Sequence, residues 1–182
     1  MVEVICGPMF SGKTEELIRR IKRVHIAGLE CAVVKYDSKS RYQEEYTGIV
    51  SHDKKSYFVA TPITSTLNLY DYSQDVIAID EAQFFPEYLF KVLQNLSDCG
   101  KRIIVSGLDM DYLRQPFPTM ANIIAIADTV DKLKSICMEC KGDALYSFRT
   151  TNETELMVIG EKDSYMPLCI KCYNKQNDER NT

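Results

Sequence analysis

Residues Gly7-Pro8-Met9-Phe10-Ser11-Gly12-Lys13-Thr14 fit the pattern G-x-x-x-x-G-K-[ST]. That pattern works only between a buried strand and a helix. The glycines let the backbone curl until successive N–H groups point at phosphate oxygens, and the helix N-terminus adds its partial positive charge. Both flanks are present. Val2, Val4 and Ile5 read as a short buried strand. Glu15 to Ala27 reads as a helix, with Leu17, Ile18, Ile21 and Val24 on one face and Gly28 just past its end. In this P-loop reading Lys13 reaches the β- and γ-phosphates and Thr14 binds Mg²⁺.

The chain then alternates. Cys31 to Val34 reads as a second buried strand, ending at Lys35-Tyr36, and the polar stretch from Asp37 to Lys55 reads as a long loop. Tyr57 to Ala60 suggests a short strand stopped by Pro62. Val76-Ile77-Ala78-Ile79 is a continuous apolar run ending in Asp80-Glu81, as a central parallel strand delivers acids to its carboxyl edge. Pro86 suits the first position of a helix whose stripe is Leu89, Phe90, Val92, Leu93 and Leu96, ended by Gly100. Ile103-Ile104-Val105 is the next buried strand, leading into Ser106-Gly107-Leu108-Asp109, and Met120 to Ala127 is a short apolar helix. Alternating strands and helices imply a P-loop, RecA-like α/β fold, a parallel sheet with helices on both faces. Ligands of such sheets sit at the carboxyl ends of the strands, where the P-loop, Asp80-Glu81 and Gly107-Leu108-Asp109 all fall.

The two acids divide naturally. In P-loop enzymes an acid at the end of a second apolar strand reaches the Mg²⁺ shell, which suits Asp80. Glu81 is then spare to take a proton from an attacking hydroxyl or water.

Four of the seven cysteines form two pairs, Cys137-Met138-Glu139-Cys140 and Cys169-Ile170-Lys171-Cys172. Two such pairs complete a tetrahedron of thiolates around one Zn²⁺ and leave no position open, so the site is structural rather than catalytic. Lys141 to Leu168 then becomes a loop tied at its root by metal, a lasso able to close over a substrate. Cys6, Cys31 and Cys99 read as packed core thiols. His25 reads as a surface cation at a helix end, and His52 lies in the polar loop; neither is given a role. The character changes near Lys134. The expected division is a P-loop domain over 1–134, a zinc-binding lasso domain over 135–174 and a polar, frayed tail over 175–182.

Composition narrows the function. A net charge of −4 and a pI near 5.3 speak against a general nucleic-acid binder. No apolar run approaches the roughly 18 residues of a membrane span and the start lacks a signal peptide's pattern. Disulfides would be out of place in the cytoplasm that these features suggest.

Taken together, Gly7 to Thr14, Asp80-Glu81-Ala82-Gln83-Phe84, Gly107-Leu108-Asp109 before Pro116-Phe117, and Cys-Met-Glu-Cys with its partner pair resemble the zinc-containing (type II) thymidine kinase family of animal cytosol, many bacteria and large DNA viruses. Order and spacing match over almost the entire chain. The resemblance implies transfer of the ATP γ-phosphate to the 5′-hydroxyl of thymidine or deoxyuridine, in thymidine salvage for DNA synthesis, with dTTP as inhibitor. It implies a homotetramer, and composition and hydropathy add the expectation of a cytoplasmic protein with no nucleic-acid or membrane partner. Glu81 then resembles the general base, and Thr14 with Asp80 the magnesium site. Gly7 to Thr14, Arg41, Asp80, Glu81, Ala82 and Gln83 match the ATP-binding positions. Met9, Phe84, Leu108 and Tyr112 match the thymine pocket, together with Ser147, Leu156, Met157, Val158, Ile159, Gly160 and Tyr165 from the lasso. Lys39 stands where the family has Asp in its Asp-x-Arg-Tyr, which here reads Lys39-Ser40-Arg41-Tyr42.

Two other readings compete. A nucleoside monophosphate kinase with a zinc-bearing lid would carry that lid in mid-chain with several arginines; here the cysteine module is C-terminal and Arg149 is its only arginine before Arg180. A RecA-like ATPase or zinc-ribbon nucleic-acid binder would need a basic surface.

Overall fold

A computed structural model describes residues 1–36, 48–50, 56–151 and 164–180. Along the first part run β1 (Val2–Cys6), α1 (Lys13–Ile26), β2 (Cys31–Tyr36), β3 (Gly48–Val50), β4 (Ser56–Val59), β5 (Thr61–Ile63), β6 (Val76–Asp80), α2 (Leu89–Asp98), β7 (Arg102–Gly107), α3 (Pro118–Ile126) and β8 (Thr129–Lys132). Six of these strands form one sheet in the order β5-β2-β6-β7-β1-β8, with every neighbouring pair parallel. The expected α/β class holds.

Alternate residues of the central strands feed two cores. Ile5, Val33, Val76, Ala78 and Ile104 meet Leu17, Ile18, Ile21 and Val24 of α1 on one face. Val4, Val34, Ile77, Ile79, Ile103 and Val105 meet Leu89, Val92, Leu93, Leu96, Met120 and Ile123 of α2 and α3 on the other. Ile21 is fully buried, so its truncation to Ala would cost about 2–5 kcal/mol. The stop of α1 is a Schellman end: Gly28, at φ 75°, donates to the His25 carbonyl, and the Leu29 N–H reaches back to Val24.

Several expectations need correction. Pro86 does not open α2; its carbonyl accepts the Leu89 N–H at 3.0 Å in a turn that precedes the helix. Pro62 does not stop the sheet but sits inside β5, an edge strand, where hydrogen bonds are needed on one side only. Within the supposed loop 37–55, Gly48–Val50 is a strand paired antiparallel with β4; the rest, including His52, lies outside the described residues. Cys6 is buried and Cys31 half-buried, but Cys99 is exposed at the end of α2, because it follows the last residue of the apolar stripe.

Beyond Lys134 the chain forms β9 (Ser135–Ile136), β10 (Asp143–Ala144), β11 (Tyr146–Arg149), β12 (Tyr165–Leu168) and α4 (Ile170–Arg180). Two antiparallel ribbons, β9–β10 and β11–β12, share a small core of Cys137, Ala144, Phe148, Leu168 and Tyr173. The polar stretch after Asn174 is helical to Arg180 rather than frayed, and Arg180 donates to the Arg149 carbonyl at 2.7 Å. Among the described residues no helix is long and apolar enough to cross a membrane.

Candidate active site

Parallel register brings the ends of β1, β6 and β7 to one edge. Cys6 pairs with Gly107, and Ile79 with Val105, so the three following loops start side by side. The first is the P-loop. Gly7 is at φ 139°, and a Cβ there would lie 2.5 Å from the Leu133 carbonyl oxygen, so only glycine fits. Gly12, at φ 80°, is the residue from which α1 starts. The Ser11 hydroxyl and the Lys13 ammonium both donate to the Pro8 carbonyl, at 2.8 and 2.7 Å, and hold the curl closed. Burial lowers the pKa of Lys13, while the carboxylates of Glu81, Asp80 and Asp109 act in the opposite direction.

The second loop carries the acids. The Thr14 hydroxyl donates to an Asp80 carboxylate oxygen at 3.5 Å. Burial, and then the neighbouring Glu81 charge, push Asp80 up to about 7. A cation bound between Thr14 and Asp80 would favour the ionised carboxylate, so donor chemistry and position both fit Mg²⁺. Glu81 is exposed and left-handed, at φ 54°, a conformation costly for a residue with a Cβ and commonest where function imposes it. Its N–H donates to Asp80 at 3.0 Å, and its carboxylate accepts from the amide of Gln83. Gln83 is buried, and its amide oxygen accepts the Leu108 N–H at 3.0 Å. The second and third loops are therefore joined through one side chain. Ala82 is buried in the core. Phe84 is half-buried, while Phe85 packs in the core against Tyr36.

The C-terminal module meets this edge directly. The Met9 N–H donates to the Ser147 hydroxyl at 2.9 Å, and the Ser135 hydroxyl donates to the Phe10 carbonyl at 3.0 Å. Tyr112, beyond the third loop, lies under the Arg149 guanidinium, 3.6 Å from ring centroid to Cζ. Tyr165 lies 5.1 Å from the same group and accepts a hydrogen bond from it. Arg41 and the stretch Leu156, Met157, Val158, Ile159 and Gly160 lie outside the described residues.

Cys137, Cys140, Cys169 and Cys172 place their sulfurs within 4.8 Å of one another, with Cys140 and Cys169 3.7 Å apart. Bonds of about 2.3 Å to a tetrahedral Zn²⁺ would set sulfurs about 3.8 Å apart. One pair sits in the β9–β10 turn and the other opens α4. Burial acts to raise the Cys137 thiol, but N–H donors at Cys169, Cys140 and Glu139 outweigh it and bring it down to about 6, whereas the hydrogen bond with Cys169 pushes the Cys172 thiol up to about 12. Donor set and spacing fit zinc.

Three side chains of this region carry roles that the sequence reading did not give them. Gln83 fell among nucleotide contacts, and its bridging of two loops depends on strand register. Arg149 reads in sequence as a lone arginine, although its place beside Tyr146 and Phe148 in an alternating strand is a signal. Lys132 pairs with the buried carboxylate of Asp109 at 2.6 Å; its polar surroundings in sequence held no cue.

The thymidine kinase family model matches residues 1–173. A thymidine kinase of Porphyromonas gingivalis is 47% identical over 176 residues, covering 96% of this chain and 85% of the relative. One of Bacteroides thetaiotaomicron is 44% identical over 180 residues, covering 98% and 89%. One of raccoon poxvirus is 42% identical over 174 residues, covering 94% and 96%.

Proposed function

The chain belongs to the thymidine kinase family, and from that premise we propose that it moves the γ-phosphate of ATP to the 5′-hydroxyl of thymidine and deoxyuridine, with Glu81 as general base. One observation carries the assignment of Glu81. Its carboxylate is held by the Gln83 amide, beside Asp80 and across the sheet edge from the P-loop. A base so positioned contributes typically about 10²–10⁴-fold in rate.

Phosphoryl transfer asks a protein mainly for positioning and charge. Residues 7–14 offer backbone N–H groups and the Lys13 ammonium to the phosphates of ATP, and Arg41 adds a further cation. Thr14 and Asp80 would hold Mg²⁺, which supplies neutralisation of the phosphate charge. Glu81 accepts the proton of the 5′-hydroxyl as the oxygen attacks in line. Met9, Phe84, Leu108 and Tyr112 line the nucleoside pocket from the sheet edge and Ser147 and Tyr165 from the C-terminal module, with residues 156–160 matching the family's thymine-holding stretch. Cys137, Cys140, Cys169 and Cys172 hold zinc and root that module. The contacts from Ser147 to Met9 and from Ser135 to Phe10 support this reading of a P-loop domain over 1–134 and a lasso domain over 135–174, since they seat β9 and β11 against the P-loop.

The resemblance extends the proposal to a cytoplasmic homotetramer in thymidine salvage, inhibited by dTTP and without a nucleic-acid partner. The acidic pI supports the last point.

The test is transfer from ATP, with Mg²⁺, to thymidine, deoxyuridine, deoxycytidine, deoxyguanosine and thymidine monophosphate. Only the first two are expected to yield 5′-monophosphates. Reaction with none, together with ATP hydrolysis stimulated by single-stranded DNA, would overturn the reading.

A further inference from the structure

We propose that Arg149 is a positioning residue for nucleoside binding, one whose guanidinium plane sets the spacing of Tyr112 and Tyr165. The inference rests on the reading of those two rings as walls of the nucleoside pocket.

Arg149 is among the most deeply buried large side chains of the chain, at 1% exposure. A buried guanidinium is costly unless its charge and donors are met. Here the cation lies over the face of Tyr112 at 3.6 Å, near the second ring of Tyr165 at 5.1 Å, and it donates to the Tyr165 hydroxyl. Both ring faces carry the negative charge that attracts a cation.

The two rings come from different parts of the chain. Tyr112 follows β7 and belongs to the sheet's active edge. Tyr165 opens β12, directly across the ladder from Arg149 itself. The backbone on each side is held from one helix, α4: the Tyr173 hydroxyl donates to the Tyr112 carbonyl at 2.6 Å, and Arg180 donates to the Arg149 carbonyl at 2.7 Å. What remains to be set is the relation of one ring to the other, and the Arg149 plane lies against both. A planar, five-donor group can stack on one ring while its edge bonds the hydroxyl of the other. A lysine ammonium keeps the charge but cannot do both.

The kinetic signature follows from the place of the contact. The rings belong to the base end of the pocket, whereas the reacting hydroxyl belongs to Glu81. Loosening the rings removes binding that substrate and transition state share, so KM rises and kcat does not fall.

Arg149→Lys is therefore expected to raise the KM for thymidine about tenfold, with kcat and the KM for ATP within about twofold of the parent. Zinc content, measured alongside, is expected to stay near that of the parent, while the melting temperature falls because the buried ammonium cannot keep both ring contacts. Tyr165→Phe keeps the ring and removes the acceptor; it is expected to raise the same KM about threefold, and the double variant to be no worse than Arg149→Lys alone. An unchanged thymidine KM in Arg149→Lys, an equal rise in the KM for ATP, or additive effects in the double variant would each overturn the proposal. If Arg149→Lys does not fold, Tyr165→Phe decides alone: an unchanged thymidine KM overturns it. A parent enzyme that phosphorylates no nucleoside would instead sink the assigned function, which separates the two failures.

Discussion

Gln83 donates its amide N–H to the Glu81 carboxylate while its amide oxygen accepts the Leu108 N–H at 3.0 Å. The second contact fixes the orientation of the amide, since a backbone N–H must face an acceptor, and so the nitrogen must face Glu81. Gly107 makes room for this: a Cβ there would stand 2.9 Å from the same amide oxygen. Glu81 is thereby referenced to the loop after β7 as well as to its own strand.

Gln83→Glu keeps an acceptor for Leu108 but replaces the donor with a second carboxylate. Glu81 would be repelled from its position by the like charge. Displacement of a catalytic group by about 1 Å can cost about 10²-fold, and a loss of about 10–100-fold in kcat is expected at pH 7. A parent-like kcat would mean that Gln83 does not position Glu81.

Glu81→Gln tests the proposed base. The amide cannot take the proton of a 5′-hydroxyl, and kcat should fall by about 10²–10⁴. ATP binding, measured by calorimetry, should survive because the P-loop is untouched. Near-normal turnover would remove Glu81 from the role of base.

The start of α1 gives a prediction for stability. Glu16 accepts hydrogen bonds from Arg19 at 2.6 and 2.7 Å and from Arg20 at 2.9 Å. The Arg19 contact is the main cause that brings its carboxyl from 4.5 down to about 2; partial burial opposes it and Arg20 assists. A folded-state pKa depressed in this way means that the ionised carboxylate stabilises the fold above about pH 4.5, and that the benefit is lost as pH falls toward 2. Glu16→Gln should therefore be less stable than the parent at pH 7, by less than about 1 kcal/mol for a pair open to solvent. In urea titrations from pH 7 to pH 3 the gap should narrow below pH 4.5, and high salt should shrink it at pH 7. A gap that does not change with pH would show that the carboxylate's charge is irrelevant here.

Much of this architecture is legible in the sequence because a central parallel strand is buried on both faces. Val2–Cys6, Val76–Asp80 and Arg102–Gly107 are nearly continuous apolar runs for that reason. By contrast β8, Thr-Val-Asp-Lys, is exposed along its whole length at the sheet edge, and nothing in its pattern separates it from a loop. The site divides in the same way. Motifs that are local in sequence, the P-loop, Asp80-Glu81 and the two cysteine pairs, can be read directly. Gln83 to Leu108, Lys132 to Asp109 and Arg149 to Tyr112 cannot, because each depends on which loops the sheet order makes neighbours. Pro86 shows the limit of local rules: it suits a helix start, yet the chain turns once more before α2 begins.

The zinc site makes the last prediction. Among the described residues the module's own core is five buried residues, Cys137, Ala144, Phe148, Leu168 and Tyr173, one of which is a proposed ligand. So small a core supplies little stability, whereas a structural zinc contributes roughly 10–16 kcal/mol of apparent binding energy. Cys140→Ser removes one of four thiolates, and the metal should be lost with it. The β9–β10 and β11–β12 ribbons should then unfold, taking Ser147 from Met9 and Ser135 from Phe10 and abolishing nucleoside phosphorylation. The parallel sheet has its own two cores and should remain, so circular dichroism should keep most of its signal and ATP should still bind. Metal analysis of the purified variant, beside parent protein treated with a strong chelator, provides the check. A variant that retained one zinc per chain would refute the four-cysteine site. One that lost zinc yet kept full activity would show that the metal does not organise the nucleoside side of the pocket.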